Sequence, residues 1–414
     1  MSAPSTIAPA APASAERPNR LPIYLDNQAT TPIDPRVLEA MLPYFTEHFG
    51  NPHSESHVYG RNAAAAIEAA RADLARLINA DPREIVFTSG ATEANNLALK
   101  GAAHFARAYP AAGREPRDHI VVLATEHKCV LESAAALERE GFSVTYLPVE
   151  PNGLVSSDRL GTALTERTLL ASVMAAHNEI GVIQPLAELG ALCRAKGVLF
   201  HTDAAQAAGK IALDVAAMQI DLMSISGHKM YGPKGVGALY VRRRPRVRLL
   251  PLIDGGGQER GLRSGTLPTP LCVGLGRAAA IAGAEMAGEA VRLRTLRDRL
   301  QENLMRRVGG LTVNGDSEHR LAGNLNLSFP GLSAPELIEA CPTIAMSTGS
   351  ACTSATVEPS YVLRALGLPD ERANASIRLG LGRFTTAAEV DFAVDALAAA
   401  AARLRDDRRM TIGG

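Results

Sequence analysis

Cysteine is scarce in this chain of 414 residues. Cys129, Cys193, Cys272, Cys341 and Cys352 are the five present, and no two form a C-x-x-C pair. So few and so scattered, they exclude a disulfide framework, and a reducing, cytoplasmic compartment is expected. Net charge is lacking too: 43 Lys and Arg balance 43 Asp and Glu. No global field draws the chain to nucleic acid or an anionic membrane, and small polar or zwitterionic partners fit better. No run of about 20 apolar residues is present, so no membrane helix is expected. There is no internal repeat. Gly255-Gly256-Gly257 lacks the following Gly-Lys-Ser/Thr of a P-loop, and Gly274-Leu275-Gly276-Arg277-Ala278-Ala279 matches a loose dinucleotide fingerprint outside any credible βαβ unit. Residues 1–20 are rich in Ala, Pro and Ser without a packing period and read as a disordered tail. They lack the apolar stretch of a secretory signal, while Arg17 and Arg20 with a single acid leave a transit-peptide reading open.

What is present is an alternation. Ile85-Val86-Phe87-Thr88 precedes a helix from about Thr92, Ile120-Val121-Val122-Leu123 precedes one near Cys129, and Leu170-Ala171-Ser172-Val173-Met174 leads into Asn178. Val198-Leu199-Phe200-His201 and Leu222-Met223-Ser224-Ile225 follow. This order predicts the α/β class, a mostly parallel sheet covered by helices, with ligands gathered at the carboxyl ends of the strands. The length predicts two domains. A long helix is expected over 279–304, with Leu293, Leu296 and Leu300 at helical spacing and a domain boundary near its start. Leu325-Asn326-Leu327-Ser328-Phe329 and Ser376-Ile377-Arg378-Leu379 are strands of a smaller unit.

The candidate chemistry falls just after those strands. Lys229, in Ser226-Gly227-His228-Lys229, follows an apolar run and precedes a glycine-rich turn. An isolated lysine is most often a surface residue. In a desolvated site it loses part of its preference for the ammonium form and can make a Schiff base. Thr88-Ser89-Gly90-Ala91-Thr92-Glu93 joins a strand to a helix, where the backbone amides and the Thr92 hydroxyl suit a phosphate, or where Thr92 serves as a plain cap. His201 and Asp203 share a face by the period of two. They read as a weak metal pair, or Asp203 alone as a carboxylate that keeps a pyridine nitrogen protonated, with Gln206 donating to the ring's phenolate oxygen. His127, in Glu126-His127-Lys128, is either structural or a proton shuttle. Cys352 lies in the small-residue run Ser347–Ser354, expected to be an exposed mobile loop on which a thiol can carry a group between sites.

These motifs resemble the NifS/IscS type of cysteine desulfurase, a fold type I pyridoxal phosphate enzyme of the class V aminotransferase family. The match extends over about residues 21–405. Its landmarks include Tyr24-Leu25-Asp26-Asn27-Gln28-Ala29-Thr30-Thr31-Pro32, Asn178-Glu179-Ile180-Gly181, Arg263-Ser264-Gly265-Thr266-Leu267 and Ser350-Ala351-Cys352-Thr353-Ser354. The resemblance implies a large cofactor domain over 39–285 and a smaller α/β domain over 286–414 that carries the cysteine loop at about 346–358. Residues 21–38 would pack with the small domain. It implies that Lys229 holds pyridoxal 5'-phosphate and moves the Cα proton of L-cysteine, and that His127 stacks on the ring. Asp203 and Gln206 would meet the ring; Gly90, Ala91, Thr92, Ser226 and His228 would bind the phosphate; Thr266 would reach the phosphate of a partner subunit in a homodimer. Arg378 would grip the substrate carboxylate in a bidentate fork with Asn178 assisting, and Cys352 would take the sulfur as a persulfide for acceptor proteins such as an iron-sulfur scaffold. No intrinsic metal is expected beyond a cluster that Cys352 shares with such a scaffold. Selenocysteine lyase or cysteine-sulfinate desulfinase activity is the alternative on the same fold, and a non-catalytic sulfur-relay scaffold the alternative outside it. Cys129 departs from the pattern, at a position where a small apolar residue is usual. Packing is its expected role, with a second thiol near the cofactor left open. The chain's end at Ile412-Gly413-Gly414 is shorter than some relatives use to dock a scaffold.

Overall fold

The computed structural model describes residues 21–110, 116–348 and 359–412. Its centre is a seven-stranded sheet. After a short strand β1 (Ile23–Tyr24), the chain lays down β2 (Ile85–Thr88), β3 (His119–Leu123), β4 (Ser143–Leu147), β5 (Thr168–Ser172), β6 (Leu199–Asp203), β7 (Leu222–Ser226) and β8 (Gly237–Val241). The order across the sheet is β2-β8-β7-β6-β5-β3-β4, and β8 alone runs against its neighbours. The expected α/β class with a mostly parallel sheet is what forms.

The strands are apolar throughout because both faces are covered. Phe87, Val121, Met223, Ile225, Ala238 and Tyr240 enter one core with the helices Val58–Leu77 and Leu186–Ala195. Their neighbours Val86, Ile120, Val122, Leu222, Leu239 and Val241 enter a second core, under the helices Ala91–Ala108 and Lys128–Arg139. Strand β4 has no such run. It is an edge strand, largely open to solvent, and its Ser-Val-Thr-Tyr composition hides it from a search for buried strands.

The long helix spans Thr269–Arg307 and therefore starts ten residues before its expected Ala279. Its first half packs Cys272, Leu275, Ala278 and Ala282 into the main core. Its second half packs Leu293, Leu296, Leu300 and Leu304 into a separate core. Length and composition alone would let this helix cross a membrane; here its apolar residues serve those two cores. The separate core lies under a four-stranded sheet, β12-β13-β10-β9, formed by β9 (Thr312–Val313), β10 (Asn324–Ser328), β12 (Ser347–Thr348) and β13 (Ser376–Gly380). Strand β1 pairs with β11 (Ile344–Ala345), so Ile23 and Leu25 join this separate core whereas Val37 joins the core of the main sheet.

One buried ion pair joins the helix Val58–Leu77 to a loop distant in sequence. Arg71 donates to both carboxylate oxygens of Glu259 at 2.8 Å and to the Ile85 carbonyl, while Glu259 accepts the Phe87 N–H at 2.7 Å. Strand β2 is thereby tied to the loop over 255–266. Both side chains are nearly wholly buried, so Arg71→Met would strand an uncompensated carboxylate. A loss of about 3–5 kcal/mol is expected in urea unfolding; a variant within ~1 kcal/mol of the parent would show that the pair is dispensable.

Candidate active site

Five strand ends face one cavity of about 520 Å³. Each places a different polar group there, as parallel sheets do at their carboxyl edge.

Strand β7 ends in a single 3-10 turn, Gly227–Lys229. A Cβ at Gly227 would stand 2.8 Å from the Pro233 carbonyl, so only glycine lets the following loop close over the turn. Lys229 projects into the cavity, where its Nζ donates to the Gln28 and Ala29 carbonyls at 2.6 and 2.7 Å. Its neighbour His228 meets Thr30 Oγ1 through Nδ1 at 2.9 Å. Burial first, then the charges of Lys229, Lys234 and Lys210, push the His228 imidazole down to about 4. Ser226 is buried in the same wall.

Between β2 and its helix, the chain turns at Gly90, which sits at φ 154° and is the N-cap of the Ala91–Ala108 helix. No side chain caps this end. Thr92 is not the capping residue; it lines the cavity with Ala91. Glu93 instead accepts the Ser89 N–H and pairs with Arg263 at 2.8 Å. The approach is close: a Cβ on Gly237 of β8 would lie 2.7 Å from the Gly90 Cα. An uncapped helix end with a hydroxyl beside it can hold an anion.

Strand β6 delivers Asp203, 4% exposed, whose oxygens accept from the Asn95 amide at 2.7 Å and the Ala205 N–H at 2.8 Å. His201 does not join it. Its two nitrogens bond the Ser172 and Ser224 hydroxyls, and burial pushes it down to about 3. Among the described residues no three His, Cys, Asp or Glu side chains gather for a metal, so the metal-pair reading falls. Gln206 lines the cavity, but one amide hydrogen is committed to the Gln28 carbonyl at 2.8 Å and its oxygen accepts from Lys210 at 3.1 Å. Burial, and then the Lys229 charge, push Lys210 down to about 7.

His127 follows β3 as the N-cap of the 128–139 helix, and its Nδ1 accepts the Cys129 N–H at 3.3 Å. Beside it, Glu126 is wholly buried with neither carboxyl oxygen hydrogen-bonded. Desolvation first and Asp203 second push it up to about 8. Glu179 is likewise pushed up to about 7 by burial.

From the smaller unit, β13 contributes Arg378, 2% exposed. Its Nη2 donates to Asp26 at 2.6 Å and to Ser347 Oγ at 2.9 Å, and its Nη1 to the Asn178 carbonyl at 3.1 Å. Its Nε has no hydrogen-bond acceptor. The guanidinium is thus not an open fork: one end already holds a carboxylate. The cavity brings together Gly90, Ala91, Thr92, His127, Asn178, Asp203, Gln206, Ser226, His228, Lys229 and Arg378. Thr266 is exposed and is not among the residues lining it. Cys352 lies outside the described residues. Sequence reasoning missed Asp26, Asn95, Glu126 and Glu179 as parts of the site.

Residues 23–392 match the family model for aminotransferase class V. The chain is 56% identical over 386 residues to the cysteine desulfurase IscS of Rickettsia africae (strain ESF-5), covering 93% of this chain and 92% of that one. It is 57% identical over 385 residues to that of Rickettsia rickettsii (strain Iowa), with the same coverage of each. A solved structure of a NifS-like protein, 38% identical, superposes with a TM-score of 0.83 over 91% of this chain and 98% of that one.

Burial of Glu126 makes stability depend on pH. Its folded-state value, about 8, lies above that of the unfolded chain, so the folded protein binds this proton more tightly. The contribution is full below the unfolded value of ~4.3 and is lost as pH rises through the folded one. Glu126→Gln removes the titration. The fall in Tm between about pH 5 and about pH 8 is expected to be smaller in the variant than in the parent; equal falls would show that Glu126 ionises normally.

Proposed function

The chain belongs to the aminotransferase class-V family, and we propose that within it the protein is a cysteine desulfurase of the NifS/IscS type that uses pyridoxal 5'-phosphate. The observation that carries this reading is the meeting of Lys229, Asp203, His127 and Arg378 around one cavity.

The residues fit the cofactor. The uncapped helix end at Gly90, Ala91 and Thr92, with Ser226 and His228 beside it, would hold the phosphate. Asp203 would pair with the ring nitrogen, Gln206 would lie at the phenolate side and Lys229 would hold the aldehyde carbon. When bound, the group supplies an electron sink for the substrate's Cα, which makes the Cβ–S bond easy to break.

The chain's own residues do the rest. Arg378, oriented by Asp26 and by the Asn178 carbonyl, binds the substrate carboxylate and so sets the amino acid's direction in the cavity. Lys229 takes and returns the Cα proton at Nζ. Its two carbonyl partners, Gln28 and Ala29, hold the amine in place when it is not bonded elsewhere. His127 moves a proton at its ring nitrogen. Cys352, in the Ser350–Ser354 motif, attacks the substrate sulfur as a thiolate; the new S–S bond forms as the Cβ–S bond breaks. L-cysteine leaves as L-alanine, and the persulfide on Cys352 passes to acceptor proteins such as an iron-sulfur scaffold. All four described cysteines are free thiols, in keeping with a reducing cytoplasm.

The working unit is a homodimer in this reading. Thr266 is exposed on its own chain and would complete the phosphate site of the partner subunit. Leu38, Leu42, Phe45, Phe49 and Tyr59 are exposed as well, an apolar surface suited to a second copy.

Mass spectrometry after addition of cysteine is expected to find one added sulfur on Cys352, removable by reductant, and alanine in the supernatant. Cys352→Ser should keep the yellow colour of the bound cofactor and lose the persulfide. A protein that stays colourless with added pyridoxal phosphate, or that carries sulfur on Cys129 alone, would overturn the reading. Arg378→Lys is expected to raise KM for cysteine by roughly 10-fold or more while retaining colour, because one carboxylate hydrogen bond to a charged group contributes ~1.5–3 kcal/mol. Steady-state kinetics reads this directly, and an unchanged KM would remove Arg378 from the binding site.

A further inference from the structure

The reaction proposed above leaves Cys129 without a part, although its side chain lines the same cavity. It stands in the middle of a hydrogen-bonded chain. Asn95, wholly buried, donates from Nδ2 to Asp203 at 2.7 Å and to Cys129 Sγ at 3.1 Å. The amide's orientation is fixed, because a flipped group would set its oxygen against the carboxylate. That oxygen is left without a partner, the cost of keeping both donors where they are. On the other side, Cys129 Sγ lies 3.0 Å from His127 Nδ1, and the Cys129 backbone N–H also points to that nitrogen. A ring nitrogen that accepts from a backbone amide carries no proton. The thiol is therefore the donor in the 3.0 Å contact, and the ring proton sits on Nε2.

We propose that Cys129 is a positioning residue that, together with Asn95, holds His127 in its Nε2–H tautomer and so keeps that ring ready to move a proton at Nε2. The chain runs unbroken from Asp203 through Asn95 and Cys129 to His127, and links that carboxylate to the imidazole across the wall of the cavity. Two donors aimed at Nδ1 also oppose a second proton there. Removing the thiol leaves only the longer backbone contact, and the imidazolium forms more readily. The other charged and titratable groups near the ring are Glu126 and Lys128 beside it in the chain, His177, close enough to feel its charge, and Glu93, Glu179, Asp203, His228, Lys229, Lys234, Tyr361 and Arg378 around the same cavity. Cys129→Ala changes none of them.

The kinetic part of the test rests on the desulfurase reading, and the spectroscopic part does not. In holoenzyme labelled with nitrogen-15 histidine, the His127 resonances, assigned by their loss in His127→Gln, are expected to be those of an Nε2–H ring. In Cys129→Ala the ring should titrate about half a unit higher, and in Cys129→Ser, which keeps a hydroxyl donor, it should return toward the parent. The acidic limb of kcat for alanine release should move with it, a roughly threefold loss well below the limb, while KM for cysteine holds. An Nδ1–H ring in the parent, an unmoved titration in Cys129→Ala, or a shift in Cys129→Ser as large as in Cys129→Ala overturns the proposal. His127 resonances that behave as expected in a protein that releases no alanine uphold it and overturn the desulfurase reading instead.

Discussion

The site depends on a short segment, residues 25–31, that turns at residues 27–29 and is bonded to both halves of the molecule at once. Toward the smaller unit, the Gly380 N–H donates to the Leu25 carbonyl at 2.6 Å, and the Asn27 backbone and side chain both donate to the Gly380 carbonyl. Toward the main sheet, Thr31 donates to the His228 carbonyl through its N–H and its hydroxyl. Between these anchors the Gln28 and Ala29 carbonyls receive Lys229 and Gln206. The contact leaves no room for a side chain at Gly380, where a Cβ would lie 2.9 Å from the Asn27 backbone nitrogen. A strand register in the second sheet thereby controls where the lysine of the first can rest.

Arg378 shows the same coupling. Its Cα faces Asn326 on one side and Ser347 on the other, so its height in the cavity is set by a sheet that contributes little else to the wall. Asp26 then fixes its rotation. A guanidinium on a long side chain has much rotamer freedom to lose, and ordering it in the fold beforehand lowers what a substrate must supply. Its Nε, also buried, has no acceptor within the protein.

Much of this was legible in the chain. Lys229, Asp203, His127 and Thr92 stand directly after apolar runs, and each such run became a buried strand pointing to one edge. Residues without a local signal were not legible. Asp26 meets Arg378 across 352 positions and Asn95 meets Asp203 across 108, and no pattern in either neighbourhood announces such a pairing. Nothing in the sequence marked Glu126 as buried, because charge in a sequence carries no information on burial. The start of the long helix was misplaced for a different reason. Pro268, Pro270, Gly274 and Gly276 argue locally against a helix, yet Gly276 is what allows close packing, since a Cβ there would stand 2.4 Å from the Ala70 Cα. Tertiary packing overrides propensity at that point. The resemblance also implied a bidentate fork at Arg378, and it could not show that one end is already taken, because a side chain's existing partners are invisible until the fold is known.

The balance of charge in the cavity explains why its acids are buried as they are. Lys229, Lys234 and Arg378 line it, with Lys210 just behind, and the His228 imidazole is depressed by burial first and then by the charges of Lys229, Lys234 and Lys210. Glu126 and Glu179 would oppose those charges if ionised. Burial pushes both upward, which weakens their negative charge, while the Asp203 and Asp26 carboxylates are each held by specific donors. The result is a pocket that attracts anions as a whole but offers one carboxylate at a defined point. A ligand with a phosphate, a carboxylate and one protonated ring nitrogen meets every part of that field with the right sign. A ligand with a negative charge where Asp203 stands would be repelled by it. Selectivity for the proposed cofactor would thus start with which acids the fold buries, before any direct contact is counted.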